Sequence, residues 1–81
     1  MNRCATGTTV WVVFMLDTRD EVLHPRICGI YTTRKSAKSA ASRAAQGERP
    51  FFRGSDVGRR GDVWYAGPIE FYFEQWEVCG Q

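Results

Sequence analysis

The segment Thr8 to Leu16, TTVWVVFML, constrains this chain more than any other stretch of it. Both alternating sets of side chains are apolar: Val10, Val12, Phe14 and Leu16 on one side, Trp11, Val13 and Met15 on the other. A strand with two apolar faces sits centrally in its sheet or is covered on both sides. Its longest apolar run, Val10 to Leu16, is seven residues, well short of the roughly eighteen that a membrane-spanning helix requires. The N-terminal MNRCATGTT holds no apolar core of signal-peptide length, so the expectation is a soluble cytoplasmic protein with no membrane partner.

The rest of the chain reads in the same way, by period and punctuation. Strand 8–16 is followed by DTRDEVLHP, a connection longer than a tight turn, and then by a second strand over 26–32. There Ile27, Gly29 and Tyr31 are expected on one face, with Cys28 and Ile30 on the other. A helix is predicted over 33–46, with Thr32 or Thr33 as its N-cap. Alanines at 37, 40, 41, 44 and 45 make one helical face, and Gly47 stands where a left-handed C-cap is expected. Residues 48–61, ERPFFRGSDVGRRG, read as an irregular loop anchored by Phe51 and Phe52, since Pro, Gly, Ser and Asp break any period. A short strand is expected over 62–65 and a long one over 69–78, IEFYFEQWEV. In the latter the apolar phase changes near Gln75, which implies a bulge or a change in the side that is covered.

At 81 residues the chain is one domain, 1–81. The expected fold class is α+β: a three- to four-stranded, mainly antiparallel sheet in the order 2-1-3, with one Ala-rich helix packed on one face. That arrangement leaves the other face open, so a homodimer through the open sheet face, or another partner, is expected.

Little in the sequence points to catalysis. The single histidine, His24, could serve Cys28 or Cys4 as a general base, but Cys28 also reads as a small apolar strand residue. No GxSxG, HExxH, P-loop or GxGxxG motif occurs. Glu70 and Glu74 lie about 13 Å apart by strand rise, too far for a paired-carboxylate site. Three cysteines (Cys4, Cys28, Cys79) without CxxC spacing leave reduced thiols and a Cys4–Cys79 bridge as the alternatives. The expectation is a protein that is not an enzyme and that takes no cofactor or metal.

Charge is the more informative signal. The net charge of +2 conceals nine cations among residues 26–61 against two acids, while residues 62–81 hold Asp62, Glu70, Glu74 and Glu77 and no cation. The helix has four cations and no acid. Arg34 and Lys35 stand in its first turn, where the macrodipole disfavours positive charge. The candidate partner-binding residues are therefore Arg34, Lys35 and Lys38 on the helix edge, Arg53, Arg59 and Arg60 in the loop, and Trp64 and Trp76 as aromatic anchors. The competing arrangement places the acidic last strand beside the helix, where the two neutralise each other.

The stretch GIYTTRKSAKSAASRAA (Gly29 to Ala45), between VWVVFML and IEFYFEQWEV, resembles small bacterial and phage proteins of unknown function. In these a strand ending in Gly-(Ile/Val)-Tyr-(Ser/Thr) leads at once into an Ala-rich helix, and an aromatic, acidic strand closes the chain. The resemblance implies the order β-β-α-β and no catalytic residues. In size and isolation the chain is also similar to phage inhibitors of host defence, the anti-CRISPR proteins among them. The expected function is a small interaction protein that binds a protein or ribonucleoprotein partner through the basic helix edge and Arg-rich loop. Direct binding of nucleic acid by the same surface is the alternative.

Overall fold

The central strand β1 (Thr8–Asp17) is paired along both edges: with β2 (Arg26–Tyr31) on one side and with the closing strand (Ile69–Val78) on the other. The computed structural model describes residues 8–52 and 56–78. Within them the chain runs β1, β2, α1 (Arg34–Gly47), a 3-10 turn (Arg49–Phe51), β3 (Val57–Arg60), β4 (Val63–Ala66) and β5 (Ile69–Val78).

The sheet differs from the expected three or four strands in order 2-1-3. It has five, in the order β2-β1-β5-β4-β3, every neighbouring pair antiparallel. Two tight turns account for the difference. Arg60 pairs with Val63 across Gly61-Asp62, and Ala66 with Ile69 across Gly67-Pro68. Gly61 (φ 63°) and Gly67 (φ 58°) take left-handed backbone at the first loop position, as two-residue hairpins with Gly first require. Gly61, expected in an irregular loop, thus opens a hairpin turn, and β3 falls inside 48–61. Two further strands continue the sheet beyond β5, which becomes an interior strand instead of an edge.

Helix α1 begins at Thr33, whose Oγ1 accepts the Ser36 backbone N–H at 3.1 Å. Its Ala37, Ala40, Ala41 and Ala45 are buried against Val13, Trp64 and Phe71, with Trp11, Met15, Tyr31, Ile69 and Phe73 around them. An alanine face lets the helix axis come close while the strands' large side chains fill the gap. Gly47 is not the left-handed cap expected of it. It is the last helical residue, and the Glu48 N–H caps Ala45 and Gln46 with right-handed backbone. The chain continues into the 3-10 turn. Phe52 lies over Gly67, whereas Phe51 is exposed and anchors nothing.

The bulge also falls elsewhere. The β1–β5 register is unbroken over ten pairs, from Thr8 with Val78 to Asp17 with Ile69. The phase change in β5 therefore marks no bulge: Trp76 and Val78 lie on the face away from α1 and are exposed. In β2 the register slips between Val13–Gly29 and Phe14–Ile27, leaving Cys28 as the extra residue. That slip puts Ile27 on the same face as Ile30, away from the helix, and leaves Gly29 and Tyr31 on the helix side.

Candidate functional site

Position on α1 decides which cations can act together. Lys35, Lys38, Ser39, Ser42 and Arg43 follow the spacing i, i+3, i+4, i+7, i+8, so they form one stripe displaced from the alanine face. On the sheet, Arg59 pairs with Trp64 across the β3–β4 ladder and shares its helix-side face. Stripe and strand enclose an open groove of about 650 Å³ lined by Lys35, Lys38, Ser39, Ser42, Arg43, Arg59 and Trp64. Among the described residues four cations and two hydroxyls line it and no carboxylate does, the nearest being Asp62 beside Arg59.

Its geometry is held from the sheet side. The Arg59 guanidinium lies 5.1 Å from the Trp64 ring centroid, and its Nε donates to the Gly61 carbonyl at 2.6 Å. Asp62, in the same turn, approaches Arg34 at 3.5 Å and Arg59 at 3.9 Å. Arg34 also lies over Phe73 at 5.4 Å. The cation in the unfavourable first helical turn therefore has an acid and an aromatic ring to face. These are exposed pairs worth at most about 1 kcal/mol each, and their effect is to fix positions.

The acids of the closing strand are not the neutralising partners. Leu16 pairs with Glu70 and Val12 with Glu74, which puts both glutamates on the face away from α1. Glu77 lies exposed near the far end of β5. Among the described residues no ion pair joins any of the three to a helix cation.

The eight sequence candidates are dispersed. Lys35, Lys38 and Arg59 line the groove, and Arg34 stands beside it, tied to Asp62. Arg60 points to the other face, over the Tyr65 ring at 5.1 Å, in a small cavity shared with Glu70. Trp64 is 6% exposed and is core floor, so it cannot reach out as an anchor. Trp76 is 46% exposed but belongs to the opposite face. Arg53, like Cys4 and Cys79, lies outside the described residues. Sequence reasoning missed Ser39, Ser42 and Arg43. The signal was the same helical period that marked the alanines, read on the other side of the helix.

Other chemistry finds little support in the geometry. Cys28 is exposed, but desolvation pushes its thiol above the usual range, the reverse of an activated nucleophile. His24 lines a small cavity with Met15, Asp17, Asp20 and Arg26, and Cys28 is not among its walls. Among the described residues no three His, Cys, Asp or Glu side chains gather as a metal site. No helix there is long and apolar enough to cross a membrane. The chain matches no protein-family model, no curated protein and no solved structure.

Proposed function

We propose that this chain is a non-enzymatic binding module whose α1–β3 groove grips the phosphate backbone of a nucleic acid, free or within a ribonucleoprotein. The observation that carries the reading is the groove's lining among the described residues: Lys35, Lys38, Arg43 and Arg59 with two serine hydroxyls and no carboxylate. Lysine and arginine, with hydroxyl donors between them, are the usual phosphate contacts and need no defined base sequence.

A purely protein partner fits the groove less well. Protein interfaces draw most of their affinity from aromatic or apolar anchors buried at the centre. Here the one aromatic residue in the groove is already core. A backbone grip needs only positive charge along a track. For an inhibitor of host defence, to which the chain is similar in size and isolation alone, the ligand would be the RNA or DNA backbone of the targeted complex.

Fluorescence anisotropy with a labelled single-stranded oligonucleotide, run against an equally labelled poly-glutamate peptide, tests the reading. Oligonucleotide binding at low salt that the peptide does not match supports it. Equal binding of both, or binding of neither, refutes it.

A further inference from the structure

The face of the sheet turned away from α1 has its own architecture. Phe14 stacks on Tyr72 at 5.4 Å and meets Trp76 at 5.8 Å, and beneath this aromatic group Val12 is fully buried. Around it Ile27, Ile30, Trp76 and Val78 are exposed. Nothing in the described chain covers them. These residues stand on β2 and β5, on either side of β1, two inter-strand spacings or roughly 10 Å apart, which is about the diameter of one α-helix. Along the strands the patch runs from the Phe14–Ile27 pair to the Thr8–Val78 pair, roughly 20 Å. A helix of about fourteen residues has that length.

The charge within the patch selects the occupant. Glu74 pairs with Val12 and stands between Tyr72 and Trp76 along the strand, exposed in the middle of the apolar surface. Glu70 lies one alternate position beyond Tyr72. Among the described residues neither makes an ion pair. Burial pushes the Tyr72 hydroxyl above its ordinary range, and the Glu74 and Glu70 carboxylates add to that push. A second copy of this chain would bring Glu74 against a like-charged face, and an anionic bilayer would be repelled. A covering element that brings both apolar side chains and cations is complementary.

We infer that this open face is a second binding surface and that its occupant is a basic amphipathic α-helix of a protein partner. Its apolar side would lie over Trp76, Val78, Ile27 and Ile30, with a Lys or Arg reaching Glu74. This completes the second layer that a single-helix sheet lacks.

The test uses two labelled fourteen-residue peptides with leucines at i, i+3, i+4 and i+7, one with lysine and the other with glutamate at every remaining position. Anisotropy is followed with the full chain, together with sedimentation of the chain alone. The Leu/Lys peptide should bind, the Leu/Glu peptide should not, and W76A and E74Q should each weaken binding about tenfold or more. E74Q leaves shape and packing nearly intact, so its effect reads the charge even where W76A disturbs the aromatic group. Equal binding of both peptides, binding of neither, or an E74Q affinity unchanged overturns the inference. So does a dimer of the free chain that W76A dissolves, because the occupant would then be a second copy.

Discussion

Replacing Lys38 by Gln removes one groove cation while keeping half of its aliphatic stem, and the salt dependence of binding reads the loss directly. If Lys35, Lys38, Arg43 and Arg59 each neutralise one phosphate, four counterions are displaced. The slope of log affinity against log salt is then about −2.8 for a single strand and about −3.6 for a duplex. Raising salt from about 50 to 200 mM should weaken wild-type binding about 50- to 150-fold, and K38Q only about 20- to 40-fold. Lys38 makes no ion pair among the described residues, so no stranded acid complicates the comparison. The assay is an anisotropy titration at four or five salt concentrations with one oligonucleotide, repeated with an unrelated sequence of equal length. A slope that K38Q leaves unchanged would refute the groove as the phosphate site. A strong preference between the two sequences would refute a grip made through the backbone alone.

Three further outcomes probe the scaffold and its charges. Thr33→Ala leaves the Ser36 N–H without its cap acceptor, a loss of about 1 kcal/mol. The thermal midpoint should fall by about 4–8 °C, and an unchanged midpoint would refute the cap. Glycines 67 and 47 should respond with opposite signs. A Cβ at Gly67 meets left-handed backbone and the Phe52 ring at 2.5 Å, whereas at Gly47 it meets open space, so Gly67→Ala should cost about 1–3 kcal/mol and Gly47→Ala should add about 0.5–1 kcal/mol in denaturant melts. The Asp17 carboxylate is held down at about 2 by hydrogen bonds from the Arg19 side chain and backbone N–H. Because the folded value lies below the ordinary 3.8, its contribution is complete above that value and fades as pH falls towards 2. The stability difference between wild type and Asp17→Asn should follow that window, and a difference that is flat through it would refute the pairing.

How much of this was legible in the sequence depends on whether the signal was local. The two-faced apolar pattern of β1 and the alanine period of α1 are statements about single elements, and such patterns survive folding. The strand count falls short because 48–61 reads as one irregular loop, which hides β3 (Val57–Arg60) and the turn that Gly61 opens. Gly followed by Asp between two short strands is itself a hairpin signal. The bulge at Cys28 could not be read, since a register slip is a property of two strands together, and it reversed the expected face of Ile27. The site suffered most. Arg59 and Arg60 are neighbours in sequence and so belong to opposite faces of β3, while Trp64 and Trp76, equally aromatic, differ only in whether α1 lies over them.

The same alternation makes the two proposed surfaces separable. Lys38 and Arg59 stand on the helix side of the sheet and Glu74 and Trp76 on the other, with a helix flank and the sheet between them. Arg59 on β3 stands two strands from Glu74 on β5, roughly 10 Å, and Lys38 lies on the helix above the sheet, both beyond the screening length of about 8 Å at physiological salt. Exposed charges so far apart should hardly influence one another. Trp76→Ala should therefore leave the oligonucleotide salt slope at its wild-type value, and K38Q should leave the affinity for the Leu/Lys peptide unchanged. The double variant should lose both activities by the amounts measured singly, because sites this distant without shared partners add. A departure from additivity would show that the two faces are coupled through the packed strands β1 and β5, whose side chains alternate between them.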